Sequence, residues 1–177
     1  MGGSVLVLTR RMDPTADVVV EELNRRAIPV IRFDLGEVVV AAELVGTRWV
    51  GQLRAGSRCA RLEDTVGVYY RRPSAPTAPP GTDPQIGAWI EAEARWGLRG
   101  LLVALPRRLW VNWPPAVHAA EHKPVTVPDQ VRVGLLELLD RLGLRFAACD
   151  FSWAWDHPLR DAIASAIADA LTGETTP

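Results

Sequence analysis

A chain of 177 residues, 48% of them apolar, can bury one sizeable core, which excludes wholesale disorder. Lys and Arg total 20 against 21 Asp and Glu, so the near-neutral surface lacks the basic excess of a nucleic-acid binder, and nucleic acid is not expected as a partner. Cys59 and Cys149 form no CxxC pair and no apolar stretch approaches the ~20 residues that cross a bilayer, so a disulfide scaffold, a thiolate zinc site and a membrane partner are excluded and a cytoplasmic location is expected.

Ser4 to Thr9 (SVLVLT) is a continuous β-branched apolar run and predicts a strand buried on both faces. Asp13-Pro14 supplies an N-cap and a first-turn proline for a helix whose Val18, Val19 and Leu23 are expected to face the core. Pro29 stops it, and Val30 to Phe33 reads as a second strand, parallel to the first because a helix joins them. Val38 to Val45 and Trp49 to Leu53 flank Gly46-Thr47-Arg48 as a hairpin. Arg61 to Asp64 reads as a charged connector, and Val66 to Tyr70 as a further strand that ends in Arg71-Arg72.

Pro73 to Pro84 is too rich in proline for regular structure. Asp83-Pro84 opens a long helix to about Leu105, on which Ile86, Trp89, Ile90, Trp96 and Leu101 recur at helical steps and are expected in the core. Leu109 to Asn112 reads as a short strand and Pro114-Pro115 starts a helix over Ala116 to His122. Pro128 to Leu142 has an amphipathic helical pattern, and Leu144 to Phe151 reads as a strand. Asp156 and Pro158 open an Ala-rich last helix to about Leu171. The fold class is α/β, a mixed parallel and antiparallel sheet flanked by helices with a small α/β appendage at the C-terminal end.

No Walker-type loop, GxGxxG or nucleophile elbow occurs. Three groups remain as candidates. Arg71 and Arg72 stand at the carboxyl end of a strand, where ligands of α/β sheets dock, and a guanidinium there can grip a phosphate or carboxylate; side-chain alternation lets at most one of the two face a site. His118, Glu121 and His122 spell H-x-x-E-H, which on a helix puts both imidazoles on one face for Zn²⁺ with Glu121 as base, although no third protein ligand stands out. Asp150, at the end of an apolar strand, is a candidate Mg²⁺ ligand.

The segments VLVLTRRMDPTAD, VIRFDL, RLEDTVGVYYRRPS, EARWGLRGLL and WVNWPPAVHAAEHKP, in this order, resemble the ATP-grasp ribosomal-peptide maturases that build microviridin-like (graspetide) cross-links. The likeness covers Ser4 to Pro124, the family's pre-ATP-grasp domain, and a second stretch, Val127 to Phe151, resembles the late part of the ATP-grasp core. The resemblance implies a pre-ATP-grasp-like domain over residues 1–124 and a remnant of the C-terminal core over 125–177. It also implies an internal gap, because Lys123-Pro124 passes almost directly into the late-core helix without the central segment that holds ATP in the family. Asp150 then corresponds to the family's first metal acid, followed by Phe151-Ser152-Trp153 in place of a Glu-x-Asn-Pro element.

In the intact family ATP and Mg²⁺ phosphorylate a side-chain carboxylate, and a Ser, Thr or Lys of the substrate displaces the phosphate to give an ester or amide. Such catalysis is positioning plus charge neutralisation. The resemblance therefore implies a shortened relative that needs no cofactor alone, does not ligate alone and keeps a domain that binds a precursor peptide or a full-length ligase. A homodimer is a further possible partner state. Two other readings stay open: a subunit of an active ligase completed in trans, and a zinc hydrolase using His118 to His122.

Overall fold

The computed structural model describes residues 3–106, 109–120 and 160–173. The expected helix after Lys123, the strand at 144–151, Glu121, His122 and Asp150 lie outside them, as does the expected domain boundary at 124–125.

Strand β1 (Ser4–Thr9) leads into α1 (Pro14–Arg25) and back to β2 (Val30–Phe33), which pairs parallel to β1 with Val5 opposite Val30. Asp13 caps α1 as expected, its carboxylate accepting from the Ala16 N–H, with Pro14 at the first helical position. The buried stripe of α1 is Ala16, Val19 and Leu23. Val18, expected in the core, is half-buried instead, because the three- and four-residue steps that meet the sheet pass through position 16.

A 3-10 turn at Leu35–Glu37 leaves the sheet, and β3 (Val39–Val45), β4 (Arg48–Ala55) and β5 (Arg58–Arg61) form an antiparallel ribbon in that order. The hairpin between β3 and β4 turns at Gly46, whose φ of 63° suits glycine. Strand β5 overlaps the expected charged connector at Arg61. Its sequence, Arg-Cys-Ala-Arg, buries only Ala60, so it carries no strand-like apolar signal; charged side chains are how an edge strand resists further pairing.

Strand β6 (Thr65–Arg71) returns beside β1, parallel to it, and β7 (Trp110–Val111) adds beside β6. The main sheet is therefore β2-β1-β6-β7, parallel throughout. The expected parallel and antiparallel pairings are both present, divided between two sheets.

Helix α2 (Pro84–Val103) separates β6 from β7, α3 (Pro114–Ala120) follows, and α4 (Arg160–Thr172) packs on the opposite face of the sheet from α2. Alternation along the strands decides which residues enter which layer. Leu6, Leu8, Phe33, Val68 and Trp110 face α2 and the ribbon, where Leu53, Ala60, Leu62, Leu101, Leu102 and Leu105 close the layer. Val5, Val7, Tyr69 and Val111 face α1 and α4, meeting Val19, Leu23, Ile167, Ala168 and Leu171. Each fully buried aliphatic side chain contributes about 1.5–3 kcal/mol relative to exposure.

Two contacts fix α4. A Cβ on Gly67 would lie 2.5 Å from the Leu171 carbonyl oxygen, so the helix backbone sits directly on the strand. Arg26, just past α1, donates to Glu22 at 2.7 Å, to the Ser165 hydroxyl at 2.7 Å and to Asp169, which ties α1 to α4.

The tryptophans of α2 are a correction. Trp89 and Trp96 are 64% and 69% exposed, and Ile86 is exposed as well. Their seven-residue spacing does place them on one stripe, but Gly87, Leu98, Leu101 and Leu102 occupy the opposite stripe, and that one meets the sheet and the loop before the helix.

Candidate functional site

In the sheet order, β1 connects onward to β2 on one side while β6 lies on its other side. The carboxyl ends of β1 and β6 thus flank a point where the winding reverses, the usual docking place of ligands in open α/β sheets. Thr9 ends β1, Arg71 ends β6, and Asn112 and Trp113 follow β7.

Asp13 dominates the gap between β1 and β6. It is 2% exposed, and its carboxylate accepts from the Thr9 hydroxyl at 2.8 Å, from the Ala16 N–H at 3.3 Å and from Arg71 Nε at 3.1 Å. Arg71 Nη2 also donates to the Thr15 hydroxyl at 3.2 Å. Burial pushes the Asp13 carboxyl up, but the Thr9 hydroxyl, the Arg71 guanidinium and the Ala16 amide outweigh it and hold the group below its ordinary value. Arg71 is therefore engaged in pinning the start of α1 to the end of β6. Arg72 is exposed and holds a φ of 43°, a left-handed conformation that turns the chain sharply off the strand. Strand alternation, from which the sequence expected at most one of the two to face a site, does not extend to Arg72, because β6 ends at Arg71.

Next to Arg71, the Tyr69 ring is buried among α1 and α4, and its hydroxyl has no hydrogen-bond partner among the described residues. Burial pushes that phenol up to about 12. On the other face Tyr70 meets Trp110 edge-on, with ring centroids 6.2 Å apart.

The proline-rich segment after Arg72 is held by side chains in place of secondary structure. Asp34 accepts from the Ser74 N–H at 2.7 Å and the Ser74 hydroxyl at 2.8 Å, which ties the segment to the end of β2. Glu91 of α2 accepts from the Ala78 N–H at 3.0 Å, and Asp83 caps α2 through the amides of Gln85 and Ile86. The loop so held forms one wall of a cleft of about 370 Å³, within the size range of small-ligand sites. Tyr70, Pro73, Ser74 and Pro76 line that wall. Arg95, Leu98, Arg99 and Leu102 of α2 line a second, and Pro114 and His118 of α3 a third.

His118 is thus the member of the His118, Glu121, His122 pattern that the structure describes, and it belongs to this cleft. Among the described residues no group of three or more His, Cys, Asp or Glu side chains converges as a metal site would require. Arg95 and Arg99 were not among the sequence candidates; Glu91 stands four residues before Arg95, the spacing of a helix-surface ion pair. In the structure Glu91 turns to the loop amide instead. The signal that could have found them is the pair itself, two arginines four residues apart on the helix that follows a strand-end loop.

No family model matches the chain, and no curated protein does. Solved structures do. The chain is similar to the macrocyclase MdnC of Microcystis aeruginosa MRC, solved bound with precursor peptide MdnA, at 25% identity and a TM-score of 0.60, over 68% of this chain and 40% of that one. It shares its fold with the macrocyclase MdnB of the same organism at 22% identity and a TM-score of 0.61, over 81% of this chain and 53% of that one. A ribosomal-peptide (RiPP)-associated ATP-grasp ligase of Chryseobacterium gregarium, solved with ADP, a leader and a core peptide, has the same fold at 21% identity and a TM-score of 0.60, over 84% of this chain and 43% of that one. The chain spans about half the length of these proteins or less.

Proposed function

We propose that this chain is a relative of the ribosomal-peptide ATP-grasp ligases that binds a precursor peptide, or a ligase that carries one, and does not form cross-links by itself. The observation that carries this reading is the likeness of its sheet and helices to a macrocyclase solved with its precursor peptide, at 25% identity over 68% of the chain.

Two features support the second half. In the resemblance, Lys123-Pro124 leads almost directly into the late-core stretch, where the family has its ATP-holding segment. At the strand ends, Arg71 is paired with Asp13, which occupies part of its guanidinium. Transferring a phosphoryl group to a carboxylate needs cations and metal-binding oxygens placed together. Asp150, the candidate Mg²⁺ ligand, would have to be joined by further acids.

The test is incubation of the purified protein with a precursor peptide from its own genomic neighbourhood, with and without Mg-ATP. Fluorescence anisotropy reads binding, and mass spectrometry reads the loss of one water per cross-link. The reading requires binding without water loss. Water loss by the purified chain would overturn it.

A second reading, an active ligase completed in trans, is favoured by the exposed Ile86, Trp89 and Trp96 of α2. A larger partner protein would cover such a face. Water loss that appears only when a full-length ATP-grasp ligase inactivated in its own site is added would select this reading.

A further inference from the structure

We infer that the cleft between the 73–76 loop, α2 and α3 is a carboxylate-binding site for an acidic peptide segment, with Arg95 and Arg99 as its anion-gripping pair. The inference takes from the proposed function only that the ligand is a peptide; the charge argument stands on the cleft itself.

Arg95 and Arg99 lie one helical turn apart on α2, so both guanidinium groups sit on the same side of the cleft. Neither makes an ion pair or hydrogen bond with another described residue. The described lining includes no acidic side chain, and Asp34 and Glu91, two carboxylates close to it in sequence, are already engaged. Asp34, next to the lining residue Leu35, accepts from the Ser74 hydroxyl and two amides, and Glu91, one turn before Arg95, accepts from the Ala78 amide. A cleft that gathers two arginines with no acidic side chain in its described lining suits an oxyanion.

The remaining walls say what carries the oxyanion. Leu98, Leu102 and Val103 beside the arginines, and Pro73 and Pro76 opposite, offer apolar surface in the same cleft. A ligand that fits both has a carboxylate next to an aliphatic side chain, as in a peptide where Glu or Asp alternates with Leu or Val. An isolated small anion would leave the apolar walls uncovered.

The test uses a short fluorescein-labelled peptide alternating Glu and Leu, the same peptide with Gln for Glu, and Mg-ATP as competitor. Anisotropy titrations compare the native chain, the pair Arg95→Ala with Arg99→Ala, the pair Arg95→Lys with Arg99→Lys, and Arg48→Ala on the β3–β4 hairpin as a control outside the cleft. Both arginines are exposed, so the alanine pair is expected to keep its circular dichroism spectrum and melting temperature. The expected result is that the Glu peptide binds at least about tenfold tighter than the Gln peptide, and that the alanine pair erases this difference. The lysine pair should restore part of it, Arg48→Ala should change nothing, and Mg-ATP should not displace the peptide.

Equal binding of the Glu and Gln peptides, or no binding by the native chain, overturns the inference. Full displacement by Mg-ATP assigns the cleft to phosphate and overturns the peptide. The precursor peptide separates this inference from the proposed function. If it binds equally to the native chain and the alanine pair, the cleft fails and the proposed function stands. If it binds through the cleft and loses water with Mg-ATP, the cleft stands and the proposed function fails.

Discussion

Arg71 Nε at the end of β6 lies 3.1 Å from the Asp13 carboxylate at the start of α1, joining two segments 58 residues apart in the chain at the point where the sheet reverses its winding. Asp13 is 3% exposed and Arg71 21% exposed at their side chains, so the pair is shielded on the acid's side and open to solvent on the other. Arg71→Ala leaves a buried carboxylate with only the Thr9 hydroxyl and the Ala16 amide. We expect a loss of about 2–3 kcal/mol in urea unfolding, below the value for a fully buried pair because Arg71 reaches water. A loss under about 0.5 kcal/mol would show that the pair does not hold the two segments.

The same carboxylate sets an acid response. Its pKa is lower folded than unfolded, so its contribution is fully present above the ordinary carboxylate value and is lost as pH falls through the folded value. Glu22 acts in the same direction: hydrogen bonds from Arg25 and Arg26 lower it from 4.5 to about 2, against a smaller opposing effect of burial. Stability is expected to be level from neutral pH to about 5 and to fall between about 4.5 and 2. Replacing Glu22 by Gln should flatten part of that fall. An unchanged acid limb in Glu22→Gln would contradict the assignment.

Gly67 reports on the docking of α4. A methyl group there meets the Leu171 backbone at 2.5 Å, and backbone cannot swing aside as a flexible side chain can. Gly67→Ala is expected to cost about 1–3 kcal/mol and to raise amide exchange in 163–171 before the rest of the chain. Exchange that rises uniformly would place α4 and the sheet in one unfolding unit.

The tryptophans separate core from surface. Trp110, 1% exposed between β6 and α2, is expected to cost about 3–5 kcal/mol when replaced by Ala. Trp89→Ser with Trp96→Ser should change stability by no more than about 0.5 kcal/mol per site. A large loss in the double variant would mean that the face of α2 is covered.

This last contrast shows where the sequence was legible and where it was not. Asp13-Pro14 and Asp83-Pro84 announce their helices because a cap is a local event, settled within one turn. The alternation of Val5 and Val7 with Leu6 and Leu8 is equally local, and so β1 is recognised as a strand covered on both faces. Trp89 and Trp96 mislead because periodicity says that residues share a face and not which face meets the sheet. Strand β5 is silent because pairing with β4, and not its own Arg-Cys-Ala-Arg composition, makes it a strand. At the site, Arg71 was legible as a strand-end arginine, but its partner Asp13 is remote in sequence. Arg95 and Arg99 carry no local signal beyond their four-residue spacing, because only the fold brings that part of α2 to the cleft.

The central claim is that the chain holds a precursor peptide and does not itself join its side chains. The most direct measurement is mass spectrometry of the precursor peptide after incubation with stoichiometric protein and Mg-ATP, with anisotropy run in parallel on the same samples. Saturable binding with the peptide mass unchanged is the predicted result. A peptide that has lost water in the presence of this protein alone would contradict it.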